Sequence, residues 1–114
     1  DVIRRVVVFG VCSLDGPAPV MDRPDGQTPE GVQDLAGNVF EWVADWFSPS
    51  YDPADVTDPR GAEMGAERVL RGGAYSFPAD ALRASFRAFA DPAFGRGQYQ
   101  GFRVVWPESW IGSR

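Results

Sequence analysis

The run Val39-Phe40-Glu41-Trp42-Val43-Ala44-Asp45-Trp46 constrains the fold of this chain more than any other stretch. It alternates strictly: Phe40, Trp42, Ala44 and Trp46 fall on one side, and Val39, Glu41, Val43 and Asp45 on the other. That is the two-residue period of a half-buried strand, whereas a helix would scatter the same residues around its circumference. Aromatic side chains bury about 150–250 Å² each, so a face with one phenyl and two indoles reads as the floor of a core. Just upstream, Asp34, Gly37 and Asn38, together with Glu41, supply two carboxylates, one amide and a flexible backbone. These are hard oxygen donors with no soft ligand among them, a set that suits calcium. Gly37 lets the chain turn so that main-chain carbonyls can face inward, and Asn38 is the only asparagine. The plainer reading is a turn entering a strand, with Asp34 hydrogen-bonded to its own backbone and Glu41 solvated.

At 114 residues and 44% hydrophobic content the chain has one domain's worth of core. Its 13 glycines and 10 prolines favour turns over helix. The net charge is −5 and every basic residue is an arginine, with no polybasic run, which argues against nucleic-acid or anionic-membrane binding. No run reaches the roughly 18 apolar residues of a membrane span. Cys12 is the only cysteine, so an internal disulfide and a Cys/His zinc site are excluded; following Val6-Val7-Val8, it reads as a small buried hydrophobe. With no histidine, the chain lacks the usual general base and the commonest transition-metal ligand, and cannot build a Ser-His-Asp or Cys-His mechanism alone. It enters Val6-Val7-Val8-Phe9 without a cap or linker, and so reads as a piece of something longer, its compartment unspecified.

Taken in order, residues 2–12 predict a short apolar strand and residues 13–32 a surface loop with turns at Asp15-Gly16 and Asp25-Gly26. Residues 48–66 form a second loop, made acidic by Asp52, Asp55, Asp58, Glu63 and the adjacent Glu67. Arg68-Val69-Leu70-Arg71 predicts a strand running into Gly72-Gly73, a bulge or close backbone approach. Leu82, Ala84, Phe86 and Ala88 alternate with Arg83, Ser85 and Arg87, and Phe102, Val104 and Trp106 with Arg103 and Val105, predicting two more strands, the last ended by Pro107. The guanidinium ends of Arg83, Arg87 and Arg103 would be partly buried and need carboxylate or carbonyl partners, as structural pairs within an irregular core.

Three blocks of this sequence, Gly31-Val32-Gln33-Asp34-Leu35-Ala36-Gly37-Asn38-Val39-Phe40-Glu41-Trp42, Arg68-Val69-Leu70-Arg71-Gly72-Gly73-Ala74-Tyr75, and Leu82 to Arg87 with Gly101-Phe102-Arg103, resemble the carboxy-terminal half of the formylglycine-generating enzyme (sulfatase-modifying factor) family. The resemblance implies an α+β, C-type-lectin-like irregular fold with short antiparallel strands and little helix in this half. It implies that residues 1–114 are the carboxy-terminal part of a single such domain, with the amino-terminal half of that domain or parent chain as a partner. It also implies a structural calcium held by the Asp34 and Glu41 side chains and the Gly37 and Val39 carbonyls. The family's second calcium site has no convincing match in residues 1–20.

Catalysis departs from the family pattern. Formylglycine-generating enzymes carry a cysteine pair shortly after the Gly-Gly segment, where thiolates hold copper, but Ala74 to Leu82 contains no sulfur, and neither phenylalanine nor serine replaces a soft ligand. No catalytic residue is assigned, and formylglycine generation by this chain is not expected. The resemblance then implies a non-catalytic, lectin-like module that binds a protein or small-molecule ligand or regulates an attached enzyme. The alternative is half of an oxidoreductase of the family, of the non-heme iron sulfoxide synthase or sulfatase-modifying type, with catalytic residues on a missing segment. A narrower form of the binding reading is a variable protein of a diversity-generating retroelement, which has this fold and randomised residues between Arg-Gly-Gly and Gly-Phe-Arg. Randomising the first two bases of an asparagine codon can yield every residue from Ala74 to Gln100 except Gln98 and Gln100, although a GC-rich genome favours much of the same alphabet. The ligand-binding candidates are Tyr75, Phe77, Asp80, Phe89, Phe94 and Tyr99, on a surface of residues 75–80 and 89–99 flanked by the acidic loop, where rigid rings contribute contact area at low entropic cost.

Overall fold

The computed structural model describes residues 3–10, 16–54, 57–95 and 97–106. At its centre is a four-stranded sheet of β1 (Phe40–Trp46), β2 (Arg68–Arg71), β3 (Ala88–Ala90) and β4 (Gln100–Gly101), in the order β3-β2-β1-β4. The β1–β2 and β2–β3 pairs are antiparallel, as expected, whereas β4 lies parallel to β1. Helix among the described residues is limited to α1 (Ile3–Val6) and the 3-10 turns Pro24–Gly26 and Ala79–Leu82. The long connections follow from the glycine and proline content: the Asp25-Gly26 turn closes a 3-10 turn with proline at its start.

β1 lies where the alternation predicts it, but one part of its expected face is corrected. Trp42 pairs with Leu70 and Trp46 with Arg68, so four steps along β1 oppose two along β2. Such an irregularity re-aims the side chains that follow it. Phe40 and Trp42 face the core, while Ala44 is exposed. Trp46 is half-buried beneath Arg68, whose guanidinium carbon lies 3.5 Å from the ring centroid, and Arg68 also donates to the Ala44 carbonyl within the irregular stretch.

Phe40 is the pivot of the core at 1% exposure, packed with Leu70, Ala74 and Ala81. The Phe77 ring meets it edge-on at 4.8 Å and the Phe86 ring stacks at 6.3 Å. The segment after β2 folds back over Phe40 and covers it. Gly72 and Gly73 permit that return. Both have positive φ, and a Cβ at Gly73 would sit 2.8 Å from the Leu82 side chain and 3.1 Å from the Ala81 carbonyl. The close backbone approach expected at this pair is present.

Three other predicted strands are corrected. Within 2–12, Ile3–Val6 is helical and Val8 makes only an isolated parallel bridge to Gly37; Gly10, at φ 65°, then turns to donate to the Phe77 carbonyl at 2.8 Å. Cys12 lies outside the described residues. Leu82 to Phe86 forms the end of a 3-10 turn and a further turn closed by Phe86 N–H on the Arg83 carbonyl, and only Ala88–Ala90 is strand. Arg71 supplies the reason: its Nη1 donates to the Ala84 and Phe86 carbonyls, the acceptors a ladder would otherwise use. The ladder predicted over 102–106 stops at Gly101, leaving Phe102, Val104 and Trp106 exposed along with Val105; Pro107 lies outside the described residues.

Candidate functional site

The segment from Ala74 to Gln100 is held at both ends. At its start, Tyr75 N–H donates to the Asn38 carbonyl at 2.8 Å, and further in Arg71 reaches the Ala84 and Phe86 carbonyls at 2.8 and 3.0 Å. At its end, Phe40 N–H donates to the Tyr99 carbonyl at 2.8 Å, and Gln100 and Gly101 pair with β1. Between these anchors Ala88–Ala90 pairs with β2, and the chain on either side of that short strand runs through turns.

The structure brings some of the six ligand candidates together and separates others. Phe94 is 84% exposed at the end of a turn in which Phe94 and Gly95 N–H both donate to the Asp91 carbonyl. Phe94 and Tyr99 line one hollow of about 310 Å³ with Asp91, Gly95 and Gly97. Phe77 joins Tyr99 ring to ring at 5.4 Å and carries that contact inward to Phe40. Phe89 points elsewhere, stacked on Phe47 at 4.1 Å. Half-buried Tyr75 and exposed Asp80, in the Ala79–Leu82 turn, line neither this hollow nor the Phe47 stack. Gly95 serves contact: a Cβ there would lie 2.5 Å from the Trp42 indole. The exposed Phe94 turn is thus seated on a core tryptophan.

The acidic loop forms a second concavity. A cleft of about 570 Å³ lies between Asp45 and Trp46 of β1 and the loop residues Tyr51, Asp52 and Glu63, with Arg87 in its wall. Arg87 is the partly buried arginine that the sequence predicts. Its Nη1 donates to the Ser48 carbonyl at 2.9 Å, and its guanidinium covers Tyr51 at 4.2 Å and Phe47 at 5.2 Å. Arg71 Nη2 donates to the Tyr51 hydroxyl at 3.0 Å, so two arginines fix the loop to the sheet through one tyrosine. Arg83, expected to be partly buried, is exposed and donates to the Asp80 carbonyl at 3.0 Å.

Two of the four residues that the resemblance implies for calcium, Asp34 and Glu41, contact Arg103. Arg103 donates through Nε to Glu41 Oε2 at 2.6 Å and through Nη2 to Glu41 Oε1, and the same Nη2 reaches the Asp34 carbonyl at 3.1 Å. Asp34 Oδ2 accepts from Met21 N–H at 2.8 Å. Bonding to Glu41 pushes the Arg103 guanidinium above its ordinary value, so it stays charged. Both Glu41 carboxylate oxygens and two Asp34 oxygens, the carbonyl and Oδ2, are thus engaged within the chain. Gly37 and Asn38 instead do structural work. A Cβ on Gly37, at φ 80°, would lie 2.3 Å from the Val8 carbonyl, and Asn38 joins Val8, Ala18 and Tyr75 through side chain and backbone together. No spacing rule singled out the Trp42–Gly95, Arg71–Tyr51 or Asn38–Ala18 contacts; the lone buried asparagine was the one available signal.

The model of the sulfatase-modifying factor enzyme 1-like domain matches residues 15–108. The chain belongs to that family. This sulfatase-modifying-factor-like chain is 53% identical over 60 residues to the formylglycine-generating enzyme of Streptomyces coelicolor, covering 51% of the chain and 18% of that protein. It is 38% identical over 90 residues to the serine/threonine-protein kinase pkn1 of Chlamydia caviae, covering 76% and 14% respectively. Against the hercynine oxygenase of Mycolicibacterium thermoresistibile it is 37% identical over 97 residues, covering 79% and 22%. The sulfatase-modifying-factor-like chain therefore spans less than a quarter of the length of these relatives. Among solved structures it superposes on Treponema denticola variable protein 1 with a TM-score of 0.69 and 29% identity, over 88% of this chain and 35% of that one. The irregular, C-type-lectin-like fold with little helix that the resemblance implied is the fold observed. No helix among the described residues is long and apolar enough to cross a membrane.

Proposed function

We propose that this chain is a non-catalytic, lectin-like binding module whose ligand face is built from residues 75–80 and 89–99, with a protein or small molecule as its ligand. The observation that carries the reading is Phe94: a large ring held almost fully in solvent, on a turn braced against Trp42 and beside the hollow it shares with Tyr99. An exposed aromatic on a rigid support is what a binding surface provides, since little side-chain entropy is lost on contact. The likeness to a variable protein supports the narrower form, in which residues 74–100 are diversified. The kinase relative supports a regulatory module attached to another enzyme.

The amino-terminal half of the domain is the partner this reading requires. Val20, Met21, Leu35, Phe102, Val104 and Val105 are exposed apolar residues that such a partner would cover. Sequencing the coding segment and its flanks across isolates tests the variable form. Substitutions concentrated at Tyr75, Phe94 and Tyr99, with Phe40–Trp46 fixed and a reverse transcriptase nearby, would support it; uniform variation would reject it.

The hercynine oxygenase and formylglycine-generating enzyme relatives support a second reading, half of an oxidoreductase whose catalytic residues lie on another segment. Iron bound by histidines of the intact protein, with turnover of a thiol substrate, would favour it over the binding module.

A further inference from the structure

We infer that the guanidinium of Arg103 is the resident cation of the Asp34–Glu41 cluster, so that this domain holds its sheet edge together without calcium. The family resemblance implies a divalent ion between these two residues. In this chain the space is spanned from Glu41, gripped by both Nε and Nη2 of Arg103, to the Asp34 carbonyl, which accepts from the same Nη2. Arg103 is half-buried and Glu41 more so, which limits solvent competition for the pair.

Two-point contact between a planar guanidinium and a carboxylate fixes orientation as well as charge, which a single ammonium does not. A calcium ion in the same place needs six to eight oxygens at about 2.3–2.6 Å and would set two positive charges beside a third.

The consequence concerns the surface as much as the cluster. β4 is held to β1 by only two residue pairs, Phe40 with Gln100 and Glu41 with Gly101. Arg103 ties the chain to Glu41 immediately beyond them, and so fixes the end of the segment that carries Phe94 and Tyr99. Arg71 fixes its beginning through the Ala84 and Phe86 carbonyls. The exposed segment is framed at both ends by arginines rather than by metal.

Two measurements on the intact protein test this. In the first, terbium(III) is titrated into the protein while tryptophan-sensitised emission is followed, and melting is compared in calcium and in chelator. No saturable emission and no change in melting are expected; saturable emission that calcium displaces, or a melting point that falls in chelator, overturns the inference. In the second, Arg103→Gln and Arg103→Lys are melted beside the parent protein. Arg103→Gln should melt about 4–8 °C lower, with Arg103→Lys recovering only part of the loss. Unchanged melting in Arg103→Gln, or full recovery by lysine, overturns it. The metal titration is read on the parent protein, so it decides even if a variant fails to fold.

Discussion

Asn38 is where three other segments meet: its amide exchanges hydrogen bonds with Ala18, and its backbone bonds Val8 and Tyr75. It sits at φ 65°, a conformation that asparagine tolerates better than most residues. Asn38→Ala should therefore cost about 2–3 kcal/mol, two lost hydrogen bonds plus left-handed strain, read as a lower urea midpoint. The sequence marked this residue as unusual but pointed to chemistry, because a lone asparagine among carboxylates looks the same whether it binds an ion or a backbone. The aromatics divide in a similar way. Phe77 packs on the buried Phe40 whereas Phe94 is 84% exposed, so Phe77→Ala should cost about 2–3 kcal/mol, and Phe94→Ala should leave denaturation unchanged within about 0.5 kcal/mol. Alphabet and spacing put both among the ligand candidates; only contact separates them.

At the scale of elements, β1 was legible because Phe40 and Trp42, two steps apart, face the core, and β2 as a short apolar pair, Val69 and Leu70, that is buried on both faces. The 82–88 and 102–106 runs show the same period without a ladder. In the first, Arg71 takes the carbonyls; in the second, the strand ends at Gly101 and Phe102, Val104 and Trp106 are exposed. Local alternation reports an apolar side, not a hydrogen-bonding partner. The acidic loop was legible as a loop, but its attachment was not, since the Arg87–Tyr51–Arg71 contacts join residues far apart in sequence. Arg87→Ala should raise amide exchange in residues 48–54 while exchange in β1 stays slow, measured by hydrogen–deuterium exchange. Gly95→Ala tests the other support: with 2.5 Å to the Trp42 ring there is no room for a methyl group, and melting should fall by roughly 4–8 °C or more.

For the whole molecule, family and fold were legible from three sequence blocks, and the chain covers 35% of the variable protein it superposes on. Supplying the amino-terminal half should quench binding of a hydrophobic dye to these residues, as Phe102, Val104 and Val105 become covered. The surface of Phe94 and Tyr99 is proposed to bind rather than pack. The most direct measurement titrates Phe94→Ala and Tyr99→Ala against the strongest ligand found on protein and glycan arrays, with melting followed in parallel. The account predicts affinity at least ~30-fold weaker for Phe94→Ala, the equivalent of about 2 kcal/mol at a binding hot spot, with melting unchanged. A Phe94→Ala protein that binds as the parent does, or melts far below it, would contradict the account.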